Sequence, residues 1–288
     1  MEIIKLNPQG FCGGVKYALS LLDNALANSN TPRPIYLMGN IIHNKTVMNE
    51  YKKKGIIVLN EGYNEDRFKI INNLTKGTII FSAHGTDSKL INLAKERGLN
   101  VIDTVCPNVK IVHKRIIDYL ANDYDIIYIG TKKHPECEGA MSISDKINLV
   151  STLDDINLLN ITNSKIYVTN QTTLSLYDLD DYFKKILNKY PYALIDNKIC
   201  TATTERQKAV MNQKKVDLCI IVGDKLSSNS NKLYKISSSL GIKTIFCEGI
   251  DEIDREALKG VKNISITSGA STPDHLVDEI INYLKGLD

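Results

Sequence analysis

The sequence predicts an α/β protein built from three units of similar size, and two observations carry that expectation. Short β-branched runs alternate along the chain with amphipathic stretches and turn residues, the pattern of strands joined by crossover helices. Three of the six cysteines, Cys12, Cys106 and Cys200, recur at an interval of 94 residues, so one falls in each third of the 288-residue chain. A composition that is 43% hydrophobic and 24% charged excludes disordered, collagen-like and coiled-coil classes.

In chain order, residues 3–6, 100–103 and 193–196 are short apolar runs, each a few positions ahead of one of the spaced cysteines. Residues 15–22, 109–116 and 203–210 follow with helical spacing or strong helix formers. Each cysteine therefore stands at a strand-to-helix junction. Between them, residues 78–81, 125–129, 166–169 and 218–222 read as further strands. Parallel sheets made this way bind ligands outside the carboxyl ends of their strands. No Pro- or Gly-rich linker and no low-complexity tract interrupts the chain, so boundaries are drawn at the cysteines: 1–105, 106–199 and 200–288.

Lys and Arg number 36 against 33 Asp and Glu, a net charge of +3, which leaves no broad electrostatic footprint for a nucleic acid. Any anion site must be local. The N-terminus lacks a basic region followed by an apolar stretch, and no window approaches the roughly 18 apolar residues of a membrane span. A cytoplasmic protein with neither membrane nor nucleic acid as partner is expected. Six cysteines are too sparse for a disulfide scaffold.

Three thiolates gathered from three units form an incomplete tetrahedral shell. It suits a structural metal completed by another ligand, or an iron–sulfur cluster with one open iron. Zinc fits less well, because no C-x-x-C pair preorganises two of the ligands. The runs Gly10-Phe11-Cys12-Gly13-Gly14 and Val105-Cys106-Pro107 expose or restrict the backbone, as a group approaching the main chain requires. Cys219 and Cys247 sit inside apolar strand-like runs and read as core, while Cys137 adjoins a polar motif and stays open.

His43, His84 and His134 each follow an apolar strand, so they could converge and donate to an anionic ligand. His113 and His275 read as structural or surface residues. Ser227, Ser228 and Asn229 precede one helix, and Ser271 lies in the turn before another. Such turns either cap their helices or present backbone N–H groups and hydroxyls to phosphate. Without a P-loop or a G-x-G-x-x-G fingerprint, the implied ligand is a small diphosphate rather than a nucleotide. Glu136, in His134-Pro135-Glu136, could relay a proton if buried near the open metal position. Thr172, in Gln171-Thr172-Thr173-Leu174-Ser175, could orient a substrate alcohol or belong to a helix cap.

Together these pieces resemble the 4-hydroxy-3-methylbut-2-enyl diphosphate reductase (IspH/LytB) family. The resemblance rests on residues 7–15, 42–44, 82–85, 103–107, 134–136, 171–175, 200–204, 227–231 and 269–271, in family order over essentially the whole chain. It implies a trefoil of three pseudo-symmetric α/β domains around a central [4Fe–4S] cluster, held by Cys12, Cys106 and Cys200 with the fourth iron open to substrate. It implies an oxidoreductase of the non-mevalonate isoprenoid pathway that reduces an allylic alcohol diphosphate to isopentenyl and dimethylallyl diphosphates, using two electrons and two protons. His43, His84, His134, Ser227, Ser228, Asn229 and Ser271 would bind the substrate, Glu136 would supply the proton, and Thr172 would position that relay. A ferredoxin or flavodoxin would deliver single electrons. The chain departs from the family pattern at Lys133 and Cys137, at Gln9 where Arg is common, and at Leu226 where Asn is frequent. A redox-neutral hydratase or dehydratase with an open-iron cluster, a cluster-binding sensor and a zinc-stabilised binding protein are the alternatives left by the residues alone.

Overall fold

A computed structural model describes residues 1–61 and 65–287. The chain opens with β1 (Glu2–Lys5) and α1 (Gly13–Ala27). There follow β2 (Ile35–Met38), α2 (Lys45–Lys53), β3 (Ile57–Leu59), α3 (Arg67–Asn73), β4 (Thr78–Phe81), α4 (Ser88–Glu96) and β5 (Asn100–Asp103). Beyond Cys106 come α5 (Pro107–Leu120), β6 (Asp125–Ile129), α6 (Pro135–Met141), β7 (Ile147–Val150), α7 (Asp155–Leu158), β8 (Ile166–Asn170), α8 (Leu176–Lys189) and β9 (Leu194–Ile195). Beyond Cys200 come α9 (Thr201–Met211), β10 (Leu218–Val222), α10 (Ser228–Ser239), β11 (Lys243–Cys247), β12 (Asn263–Ser268) and α11 (Asp274–Lys285).

The strands form three parallel four-stranded sheets, ordered β3-β2-β4-β5, β7-β6-β8-β9 and β11-β10-β12-β1. The expected α/β class is what the chain adopts, and the three sheets share one topology. The expected first unit, 1–105, differs in one respect: β1 lies in the sheet of the C-terminal unit, with Glu2 opposite Asn263 and Lys5 opposite Ile266. Without it, the last unit would have three strands and an open edge at β12. The N-terminal segment closes that edge and so ties the two ends of the chain together.

Both faces of each sheet are covered, which is why the central strands read as continuous apolar runs rather than alternating ones. Ile80 packs with α1 and α2, while Ile79 and Phe81 face α3 and α4. Ile127 and Val168 face α8, and Ile126 and Tyr167 face α5 and α6. Ile220 and Ile266 face α11, and Cys219 and Ile221 face α9 and α10. Cys219 and Cys247 are fully buried core residues, as their apolar surroundings suggested. Among the described residues no helix is long and apolar enough to cross a membrane.

Candidate active site

The repeated topology generates the site. The loop after the first strand of each unit, with the helical turn that follows it, carries His43 (after β2), His134 and Glu136 (after β6), or Ser227, Ser228 and Asn229 (after β10). The loop after the third strand carries His84 (β4), Thr172 (β8) or Ser271 (β12), and the edge strands β5, β9 and β1 run into Cys106, Cys200 and Cys12. All of these residues line one pocket at the carboxyl ends of the strands.

Each spaced cysteine occupies the N-cap of the helix that leaves its sheet: Cys12 for α1, Cys106 for α5 and Cys200 for α9. The Cys12 sulfur accepts the Val15 N–H at 3.5 Å, and Cys200 Sγ lies 3.1 Å from the Thr203 hydroxyl. Burial pushes the Cys106 and Cys200 thiols upward, partly offset by backbone N–H groups at Asn108 and Val109 and by Thr203. Gly14 is required at this point, since a Cβ there would stand 2.4 Å from Cys106 Sγ and 3.9 Å from Cys12 Sγ. The three thiols are free and ring the pocket, yet among the described residues no three His, Cys, Asp or Glu side chains close on a point as a single ion requires. Three soft donors around a lined hollow fit a multi-iron cluster better than a mononuclear ion.

Glu136 is 2% exposed, on the first turn of α6. Its Oε1 accepts the Thr172 N–H at 2.7 Å and its Oε2 accepts the Thr172 hydroxyl at 3.1 Å. Burial raises its pKa from 4.5 to about 7, against the opposing effect of the Thr172 bonds. The fully buried Tyr128 hydroxyl also faces this carboxyl, although it has no partner in hydrogen-bond geometry among the described residues. A buried acid of this kind holds a proton near neutral pH and can release it to a ligand.

The three imidazoles form a contiguous group. His43 and His84 stack with ring centres 4.7 Å apart, and His84 meets His134 edge-on at 5.8 Å. Burial lowers all three pKa values, that of His134 to about 4, and the neighbouring imidazoles lower His84 further. His134 Nδ1 accepts the Glu136 N–H at 3.1 Å, so its neutral ring carries the proton on Nε2. His84 Nε2 and both polar atoms of the Asn229 amide are buried without partners among the described residues, as groups that await a ligand are. Ser227 Oγ accepts the Ser230 N–H at 3.3 Å, and Ser228 Oγ accepts the Thr173 hydroxyl at 3.1 Å, so each keeps its own proton for a ligand. Ser271 instead donates to the His43 carbonyl at 2.9 Å.

Sequence reasoning missed Arg206, Asn108 and Thr203. Asn108 and Thr203 line the pocket, and Arg206 is 2% exposed beside it. A lone arginine on a polar helix carries no signal of burial. Cys137, left open before, is a buried thiol whose sulfur donates to Gln171 Oε1 at 3.5 Å beneath the pocket wall. Lys133 has φ +65°, in the left-handed region that favours glycine. Gln9 is anchored on the Ile266 carbonyl at 2.8 Å, and Leu226 is 61% exposed.

An α/β frame of three like sheets brings thiols, imidazoles and one buried carboxyl of raised pKa to one pocket, donor types that suit a soft-metal centre beside an anionic ligand. The chain belongs to the LytB protein family, whose model matches residues 3–285. It is similar over its whole length to the 4-hydroxy-3-methylbut-2-enyl diphosphate reductase of Geobacillus kaustophilus, with 43% identity and 91% of that protein covered. Its fold is similar to that of the E-1-hydroxy-2-methyl-but-2-enyl-4-diphosphate reductase of Plasmodium falciparum, with a TM-score of 0.90, 32% identity, and 99% and 88% of the two chains covered. A second solved structure, of (E)-4-hydroxy-3-methyl-but-2-enyl diphosphate reductase, the terminal enzyme of the non-mevalonate pathway, matches with a TM-score of 0.69 at 30% identity over 99% of this chain and 100% of that one.

Proposed function

We infer that the chain has the activity its relatives are named for. It reduces 4-hydroxy-3-methylbut-2-enyl diphosphate to isopentenyl and dimethylallyl diphosphates, the last step of the non-mevalonate pathway, in the cytoplasm. Cys12, Cys106 and Cys200 hold a [4Fe–4S] cluster with one iron left open. When bound, that group supplies single electrons and a Lewis-acidic position for the substrate oxygen. A ferredoxin- or flavodoxin-like protein is the electron source.

The chain's own residues do the rest. His43, His84, His134, Ser227, Ser228, Asn229 and Ser271 bind the diphosphate from all three units, which fixes the carbon skeleton against the thiol side of the pocket. Glu136 gives its proton to the substrate hydroxyl, so that the breaking C–O bond releases water rather than hydroxide. The Thr172 hydroxyl and N–H hold both carboxyl oxygens of Glu136 and keep the acid aimed at that oxygen. Two electrons and two protons enter in all, and one water leaves.

The observation that carries this reading is the presence, in one pocket, of three cysteine thiols and a buried glutamic acid with a pKa of about 7. The test is an anaerobic assay of the reconstituted protein with a reduced one-electron donor and 4-hydroxy-3-methylbut-2-enyl diphosphate. Both C5 diphosphates should appear with two electrons consumed per product. A cluster-bearing protein that neither forms product nor oxidises the donor overturns the reading.

A further inference from the structure

We propose that Arg206 is the charge partner of the bound cluster, a positioning residue whose fixed positive charge makes the site easier to reduce. The inference rests on the cluster assignment above and concerns a residue that the proton relay and the diphosphate grip do not use.

Arg206 lies in the second turn of α9, the helix that Cys200 caps, and is only 2% exposed. Its Nη1 donates to the Ala202 carbonyl at 3.0 Å and its Nη2 to the Gly10 carbonyl at 2.7 Å. The first bond stays on the helix of Cys200. The second crosses to the loop that ends in Cys12, so the guanidinium is pinned between the two backbone segments that carry these thiols. Both acceptors are neutral, and Nε has no partner among the described residues.

A guanidinium does not give up its proton, and a buried cation without a bonded anion is costly. Burial works against the charge of Arg206, and the groups that favour it are led by the Cys12 and Cys200 sulfurs in their ionised, ligating form, ahead of Glu205 and Asp274. Those two carboxylates are solvent-exposed and therefore screened. The anion that compensates Arg206 is thus the cysteine-ligated centre itself. Its thiolates outweigh the charge of an oxidised cubane core, and each added electron deepens the negative charge. A nearby fixed cation favours the reduced form over the oxidised one and raises the midpoint potential.

The experiment compares reconstituted wild type, Arg206→Gln and Arg206→Lys for iron and sulfide content and for midpoint potential by spectroscopically monitored redox titration, with no turnover required. Arg206→Gln should hold its cluster at a more negative midpoint, and Arg206→Lys should lie at the wild-type value. An unshifted Arg206→Gln midpoint at full iron content overturns the proposal, as does an Arg206→Lys midpoint displaced as far as that of Arg206→Gln. Should Arg206→Gln hold no iron, an Arg206→Lys protein with wild-type iron and midpoint supports the charge role, and one without iron assigns Arg206 to backbone geometry alone. A wild-type protein that takes up no cluster would instead remove the assignment on which the proposal rests.

Discussion

The carboxylate of Glu136 takes both of its hydrogen bonds from a single residue, Thr172, through the backbone N–H at 2.7 Å and the hydroxyl at 3.1 Å. The two residues are 36 positions apart but follow the adjacent strands β6 and β8, and strand pairing alone brings them face to face. The acid is thereby held in one orientation inside a wall that keeps it protonated near neutral pH.

Replacing Glu136 by Gln keeps the shape and one acceptor but removes the proton. Turnover should fall by about 10²–10⁴-fold while iron content and substrate affinity stay near wild type. Thr172→Ala should lose less, because the backbone N–H still holds Oε1. Steady-state kinetics with iron analysis checks both, and near wild-type turnover in Glu136→Gln would move the relay elsewhere.

The raised pKa of Glu136 has a stability consequence with a definite sign. The folded chain holds a proton that the unfolded chain has lost, so the contribution is fully present below pH 4.5 and is lost as pH rises through about 7. It amounts to roughly 3 kcal/mol at most. His134 acts oppositely: its folded pKa of about 4 lies below the ordinary 6.5, so its contribution is present above 6.5 and lost as pH falls toward 4. Urea melts should show Glu136→Gln gaining on wild type as pH rises from about 5.5 to about 8.5, and a constant difference between the two proteins would refute the assignment.

Three neutral imidazoles facing an anion should gain protons when it arrives, because a bound diphosphate raises pKa values that burial has lowered. Calorimetric titration of the substrate into the protein near pH 6.5, in two buffers of different ionisation enthalpy, should report net proton uptake. His134→Asn should reduce that uptake. No buffer dependence at all would mean that the histidines bind the ligand without titrating.

The proposed cluster shell has no spare thiolate. Cys12→Ser, Cys106→Ser and Cys200→Ser should each abolish donor-linked turnover and lower iron content, whereas Cys137→Ala should leave both intact because that thiol is buried on Gln171. Full activity in any one of the three serine variants is the outcome that breaks the ligand assignment.

Lys133 is strained at φ +65°. Lys133→Gly should stabilise the protein by about 1 kcal/mol after the entropy glycine adds to the unfolded chain. Substrate affinity and turnover should not change. A loss of affinity would show instead that the lysine charge serves the pocket mouth.

What the sequence determined by itself is local or periodic. β-branched runs such as residues 125–129 and 218–222 declare strands because both faces of a parallel sheet are buried, and the 94-residue interval of Cys12, Cys106 and Cys200 declares a repeated unit. The histidines, hydroxyl turns and acid were legible because loops at strand ends carry chemistry regardless of how the sheets pack. Tertiary structure alone decided the non-local matters. That β1 closes the sheet of the C-terminal unit follows from a pairing across more than 250 residues, which no local pattern encodes. The proton on Glu136 depends on burial by distant segments, and the burial of Arg206 against Gly10 inverts what a charged residue on a polar helix suggests. Side-chain chemistry is written position by position, but solvation belongs to the packed whole, and solvation sets which of these groups is charged.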